Sequence, residues 1–208
     1  MTHPAKALLF DLGGVVVDIS FERALERWSH HSGLVADTLK SRFAFDAAYE
    51  QHERGEISAE AFFASLRKTL GVTLSDGQLK DGWNAIFIGE VPQTVALLKR
   101  LEGKVPLYAF SNTNETHKRF WSERYADSLT PFEQVFVSSD MGKRKPERDA
   151  FAYVASEIEV DFEEIIFFDD TQENIAAAEN LGVQAVLVRS PDDVLEAVKP
   201  FLQDEPLE

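Results

Sequence analysis

The 208-residue chain has no cysteine and carries 36 acidic against 21 basic residues, a formal charge of −15. The lack of thiols excludes disulfides and thiolate metal sites and fits a reducing, cytoplasmic setting. A field this negative repels nucleic acid and anionic membranes, and a phosphate ester would need local cations or a metal to bind. Hydrophobic residues make up 44% of the chain, enough for a sizeable core. The opening MTHPAK lacks the basic, apolar and small-residue order of a signal peptide, and no apolar run reaches the length of a membrane span.

Lys6–Asp18, KALLFDLGGVVVD, is an apolar run that ends in Asp11, followed by Gly13, Gly14 and a second apolar run. A short unbroken apolar run predicts a buried parallel strand. An acid at its carboxyl end sits where open α/β sheets bind ligands, and Gly-Gly lets the backbone turn sharply and approach a ligand. From Ser20 to about Ile88 the sequence predicts helices throughout. Phe21–His31 spaces Phe21, Ala24, Leu25 and Trp28 as a helix does, and Leu34–Gln51 continues in the same way. Ser58 can cap a helix carrying Phe62, Phe63, Leu66 and Leu70. Ser75-x-x-Gln78 has the form of a capping box that opens a last helix through Trp83. This stretch reads as a four-helix insert with Trp28 and Trp83 in its core. Asp18, at its mouth, reads as the end of a turn.

From Val91 helices and strands alternate. A helix over Thr94–Leu101 precedes a strand at Val105–Phe110 that runs into Ser111-Asn112-Thr113-Asn114. A helix over Glu115–Tyr125 follows, in which Phe120 and Trp121 read as an apolar face and His117, at the helix start, either faces the site or is a packing or exposed residue. The strand Gln134–Val137 leads to Met141–Lys145 and a helix from Pro146. The strand Glu164–Phe168 ends in Asp169-Asp170, and a small-residue helix follows around Ile175–Ala178. Gln184–Val188 and a helix over Pro191–Leu202 close the chain before an acidic, frayed tail, Gln203–Glu208. Such alternation implies a doubly wound parallel sheet: an α/β core over 1–18 and 89–208, with a helical insert over 19–88.

In a parallel sheet the carboxyl ends of the strands share one edge. Asp11, Ser111-Asn112, Lys145 and Asp169-Asp170 can therefore meet there. Asp11 and Asp170 with a carbonyl near Gly13 make an all-oxygen site of the kind Mg²⁺ accepts. Lys145 adds a point charge, and Ser111 with the amides after it can hold an anion at a helix start. The set describes phosphoryl transfer with an aspartate nucleophile and a small phosphorylated metabolite as substrate.

FDLGGVV, FSNTN, GKRKPE and FFDDTQENI resemble the four ordered motifs of the haloacid dehalogenase superfamily, and they span the whole core. The insert after the first motif resembles that superfamily's C1-type cap. YEQHERGEIS and SNTNETHKRFW are similar to a subgroup of bacterial sugar-phosphate phosphatases that includes the α-D-glucose-1-phosphate phosphatases. The phosphatase domain of soluble epoxide hydrolases is a more distant relative. The resemblance implies that Asp11 forms an aspartyl-phosphate and binds Mg²⁺ with the Gly13 carbonyl and Asp170, while Asp169 holds a water on the metal. It implies that Ser111 and the Asn112 amide bind the phosphoryl group, and that Lys145 neutralises it and restrains Asp11.

Gly13 departs from the superfamily's phosphatase pattern, which has a second aspartate at that position as general acid and base. Such a group is worth about 10²–10⁴-fold in rate. Three explanations stand: a leaving group that needs little protonation, as in a sugar 1-phosphate; a residue of the insert, His52 or Glu53 first, acting when the insert closes; or a poor catalyst. Two other functions remain open at this point. A 2-haloacid dehalogenase shares the nucleophile, lacks the second aspartate and needs no metal. A phosphate-binding or regulatory protein would have lost catalysis.

Overall fold

The computed structural model describes residues 5–202; the tail Gln203–Glu208 lies outside them. Among the described residues seven strands form: β1 (Ala7–Phe10), β2 (Val17–Ile19), β3 (Phe87–Glu90), β4 (Leu107–Ser111), β5 (Gln134–Val137), β6 (Ile165–Asp169) and β7 (Gln184–Leu187). Five of them build one parallel sheet in the order β5-β4-β1-β6-β7. The chain therefore winds outward from β1 in both directions, and β1 marks the switch point at which open sheets bind ligands.

Strand residues alternate between two apolar layers, as the two-residue period of a strand requires. Leu8, Phe10, Leu107, Ala109 and Phe168 face a layer covered by the helices Pro92–Leu101 and Pro191–Val198. Leu9, Phe110, Phe136 and Phe167 face the layer under Arg148–Glu157 and Gln172–Glu179. Phe10 and Phe168 are register partners on β1 and β6 and stack at 4.4 Å. Among the described residues no helix is long and apolar enough to cross a membrane.

The insert differs from the sequence expectation in two places. It is not helical to its ends: β2 and β3 pair as an antiparallel ribbon, with Asp18 opposite Gly89, so Asp18 lies in a strand rather than ending a turn. The run Leu34–Gln51 is not continuous either but holds two short helices, Ala36–Lys40 and Ala47–Glu53. Asp46 starts the second by accepting from the Tyr49 N–H at 3.0 Å, and Arg42 leaves the first to donate to the Leu70 carbonyl at 2.6 Å. The remaining helices are Phe21–Ser32, Ala59–Leu70 and the capping-box helix Asp76–Asn84. Trp28 and Trp83 are fully buried and stack in their midst. Gly82 makes this possible, because a Cβ there would lie 2.0 Å from Trp28 Nε1.

Candidate active site

Neighbouring strands lie about 4.8 Å apart, so the ends of β1, β4 and β6 bring their polar residues together. Asp11 follows β1, Ser111 closes β4 and Asp169 closes β6. Lys145 arrives from the loop beyond β5. Its ammonium is buried, 3.0 Å from Asp11 Oδ1 and 2.6 Å from Asp169 Oδ2, and it lies over the rings of Phe110 and Phe167. Burial alone would lower the lysine's pKa; Asp11 and Asp169 outweigh it and hold the ammonium above its ordinary value. Two bonds of 2.8 Å tie the Asn112 side chain to the backbone N–H and carbonyl of Lys145, so Asn112 positions the lysine.

Asp11 Oδ1 also accepts from the Leu12 N–H at 2.7 Å. Both of these contacts use Oδ1 and neither engages Oδ2. Burial pushes the Asp11 carboxyl up to about 7, against the pull of Lys145 and with the push of Asp169. Asp169 is fully buried and saturated: it accepts from Thr171 N–H at 2.8 Å, from Lys145, and from Asn174 Nδ2 at 3.0 Å on each oxygen. It anchors the lysine more than it offers a free oxygen. Asp170 is exposed to the site, and burial of its surroundings and the charge of Asp169 raise its pKa. Carboxylate oxygens of Asp11, Asp169 and Asp170 lie within 4.8 Å of one another. Of this set Asp11 and Asp170 can each offer an oxygen to a hard divalent cation, with Asp169 holding its place behind them through Lys145 and Asn174.

Gly14 makes room for that set. Its φ is +75°, and a Cβ on it would lie 2.2 Å from Asp170 Oδ2. At Gly13 a Cβ would meet the Ile19 side chain, with Cδ1 at 3.0 Å, so a side chain at this position asks the tip of Ile19 to give way slightly.

A cavity of about 640 Å³ opens above this edge, between core and insert. Asp11, Gly13, Ser111, Asn112, Lys145 and Asp170 all reach it. Of the two insert residues singled out in the sequence, the structure brings Glu53 there and not His52. Successive helical residues point about 100° apart, so the two neighbours cannot share a direction. His52 lines a second cavity, stacks on Phe62 at 4.5 Å and faces the Ile57 carbonyl at 3.3 Å. Glu53 is buried in the first cavity and bound by Arg144 Nε at 2.8 Å. Burial raises its carboxyl while Arg144 opposes the rise. Tyr49, one helical turn earlier, lines the same cavity; burial and the Glu53 carboxylate hold its phenol well above the ordinary value and therefore protonated.

The insert touches the core at two further places. Arg54 pairs with Glu147, and Gly55, with φ +68°, lets the Ser139 carbonyl come so near that a Cβ would sit 2.4 Å from it. On the other side His117 Nε2 donates to the Trp83 carbonyl at 2.9 Å, and Nδ1 accepts from Asn114 at 3.3 Å. His117 is thus a packing residue between core and insert, and burial lowers its pKa to about 3. Ser138, at the polar end of β5, holds the loop after β4 by bonding both the N–H and the carbonyl of Thr113. Sequence reading passed over Asn174, Arg144 and Tyr49 as site residues. Asn174 and Arg144 lie inside the motifs FFDDTQENI and GKRKPE, where their nearness to Asp169 and Lys145 was the available signal.

A doubly wound parallel sheet with a carboxylate–lysine–carboxylate group at its switch point and an insert roofing it is an open α/β protein that binds its ligand at the carboxyl edge of the sheet. The family model of haloacid dehalogenase-like hydrolases matches residues 5–182, and the chain belongs to that family. It is 25% identical over 185 residues to a D-ribitol-5-phosphate phosphatase of Bacteroides thetaiotaomicron, covering 86% of this chain and 89% of that one. It is 26% identical over 184 residues to a sesquiterpene phosphatase of Aspergillus oryzae, covering 86% and 87%. A family enzyme from Bacteroides thetaiotaomicron, solved in complex with magnesium and inorganic phosphate, superposes with a TM-score of 0.76 at 28% identity and 87% and 92% coverage.

Proposed function

We propose that the chain is a Mg²⁺-dependent phosphomonoesterase acting on a small sugar-type phosphate, with Asp11 as nucleophile. The observation that carries this reading is the state of the Asp11 carboxylate. Lys145 and the Leu12 amide hold Oδ1, the contacts leave Oδ2 for attack, and Asp170 stands beside it. The names of the relatives, phosphatases of small phosphorylated compounds, support it.

In this reading Oδ2 bonds to phosphorus as the ester P–O bond breaks, and the leaving oxygen departs as an alkoxide that takes its proton from solvent. Water then cleaves the aspartyl-phosphate, releasing phosphate and restoring the carboxylate. Lys145 and Ser111 meet the charge on the phosphoryl oxygens, and Asn112 keeps Lys145 in place. Asp11, Asp170 and the Gly13 carbonyl would hold Mg²⁺, with Asp169 in support. When bound, the ion supplies positive charge against the phosphoryl oxygens.

The vacant acid–base position at Gly13 favours an ester with an acidic leaving group, and glucose 1-phosphate is our first candidate. Should the insert supply a proton instead, Glu53 is the residue, because it shares the cavity with Asp11 and His52 does not. We read residues 19–88 as a C1-type cap on a core of 1–18 and 89–208, close to the glucose-1-phosphate phosphatase subgroup. The test is phosphate release from glucose 1-phosphate, glucose 6-phosphate and ribitol 5-phosphate, with Mg²⁺ or chelator, for the parent protein and Asp11→Asn. Mg²⁺-dependent release that Asp11→Asn lowers at least about 10³-fold is expected, with preference for the 1-phosphate. No release from any ester, with metal-free turnover of a 2-haloacid, would replace this reading by dehalogenation.

A further inference from the structure

The charges that line the cavity divide into two groups. On the floor, Asp11 and Asp170 accompany Lys145. Above it Glu50 and Glu53 stand with Arg144 as their cation, and Glu173 also lines the cavity. Both cations are committed. Lys145 lies between Asp11 and Asp169. Arg144 binds Glu53 at 2.8 Å and approaches Glu50 at 3.5 Å. Beyond the floor the described lining thus holds three carboxylates against one guanidinium, with Arg54 reaching Glu50 at 3.5 Å from outside the lining, and no lining Lys or Arg remains for a second anionic group on a ligand. The walls around them are aromatic, with Phe21, Phe45, Tyr49 and Phe87. Carboxylates accept from hydroxyls and donate to nothing, whereas aromatic faces pack C–H surface.

We propose that the upper cavity selects phosphate esters whose alcohol is an uncharged polyol and rejects those carrying a second anion, with Glu50 and Glu53 as the specificity-determining residues. The proposal rests on the phosphatase reading and names its substrate class. A carboxylate or second phosphate on the alcohol would enter a region with an excess of like charge and no free partner. Such juxtaposition suppresses binding of the wrong ligand more than it affects the chemistry. An amine on the same alcohol would meet Glu50, whose side chain is 44% exposed, and would be accepted.

The experiment compares three esters that share ring and anomeric linkage: glucose 1-phosphate, glucuronic acid 1-phosphate and glucosamine 1-phosphate. Turnover is followed with Mg²⁺ in the parent protein, and Kd is measured by calorimetry in Asp11→Asn. The glucuronic acid ester is expected to fall at least about tenfold below the glucose ester in kcat/KM and in affinity. The glucosamine ester should match or exceed the glucose ester. In Glu50→Gln and Glu53→Gln the penalty on the glucuronic acid ester should shrink several-fold. Equal or better handling of that ester, or a gap that neither variant moves, overturns the proposal. Absence of turnover with the same affinity ranking overturns the phosphatase reading alone; absence of both binding and turnover overturns both.

Discussion

Lys145 and Arg144 are consecutive residues that serve opposite walls of one cavity. Lys145 points into the core, where it is 1% exposed and bound by two carboxylates at 3.0 and 2.6 Å. Arg144 points to the insert, where it is 18% exposed and reaches Glu53 and Glu50. A buried ion group is costly to break, because the survivor stays uncompensated in a low-dielectric place. An exposed pair such as Arg144–Glu50, with Glu50 44% exposed, is worth far less, whereas Glu53 is 5% exposed and stays buried against Arg144. The core side is therefore built to hold one arrangement, and on the insert side only the outer contact to Glu50 is made and unmade at small cost. In the reading proposed above, reaction chemistry falls to the first and choice of alcohol to the second.

The largest expected effect comes from breaking the core side. Lys145→Met leaves Asp11 and Asp169 as facing carboxylates without their cation, and the protein should lose about 3–5 kcal/mol of stability in denaturant titration. A loss under about 1 kcal/mol, the range of a rim pair, would contradict the contrast between the two walls.

Next comes the seam between the two regions. Gly55→Ala places a Cβ 2.4 Å from the Ser139 carbonyl at φ +68°, so the turn must lift off the core. The expected cost is about 1–3 kcal/mol, with a raised KM. Gly33→Ala is the control: its φ is +74° but a Cβ there meets nothing within 4 Å. It should cost about 1 kcal/mol of backbone strain and leave KM unchanged. Equal kinetic effects of the two would show that the seam does not hold the site.

The effect that is smallest near neutral pH, and grows as the pH falls, is read by an acid titration of stability. His117 is buried with its pKa lowered to about 3, so the unfolded chain binds its proton first as pH falls. Its contribution is complete above about pH 6.5 and is lost from there down to about pH 3, by up to about 1.4 kcal/mol per pH unit. His117→Gln should flatten the acid limb of the stability–pH curve by that slope. An unchanged slope would mean that the imidazole is not held neutral between Asn114 and Trp83.

The floor of the site was legible in the sequence because a parallel sheet has one carboxyl edge. Once Asp11, Ser111, Lys145 and Asp169-Asp170 are each placed at a strand end, topology does the rest. The same reasoning finds the alternating core, since Leu8, Leu9 and Phe10 need only a period of two. The insert resisted it. No glycine or proline marks the break between Lys40 and Ala47, which is made by Arg42 reaching the Leu70 carbonyl, a contact 28 positions away. The three-residue strand at Val17–Ile19 is too short to show a period. The choice between His52 and Glu53 depends on how the helix Ala47–Glu53 is rotated over the core, and that is set by Arg144 and Gly55 on the two sides of the seam.

The central claim is that Asp11 becomes covalently phosphorylated in turnover. Rapid quenching of the enzyme with glucose 1-phosphate and Mg²⁺, followed by peptide mass analysis, tests it directly. The account predicts a transient phosphoryl group on the peptide carrying Asp11, formed before phosphate appears in bulk and lost on the same time course. Phosphate release with no such label, or with the label on another residue, would contradict it.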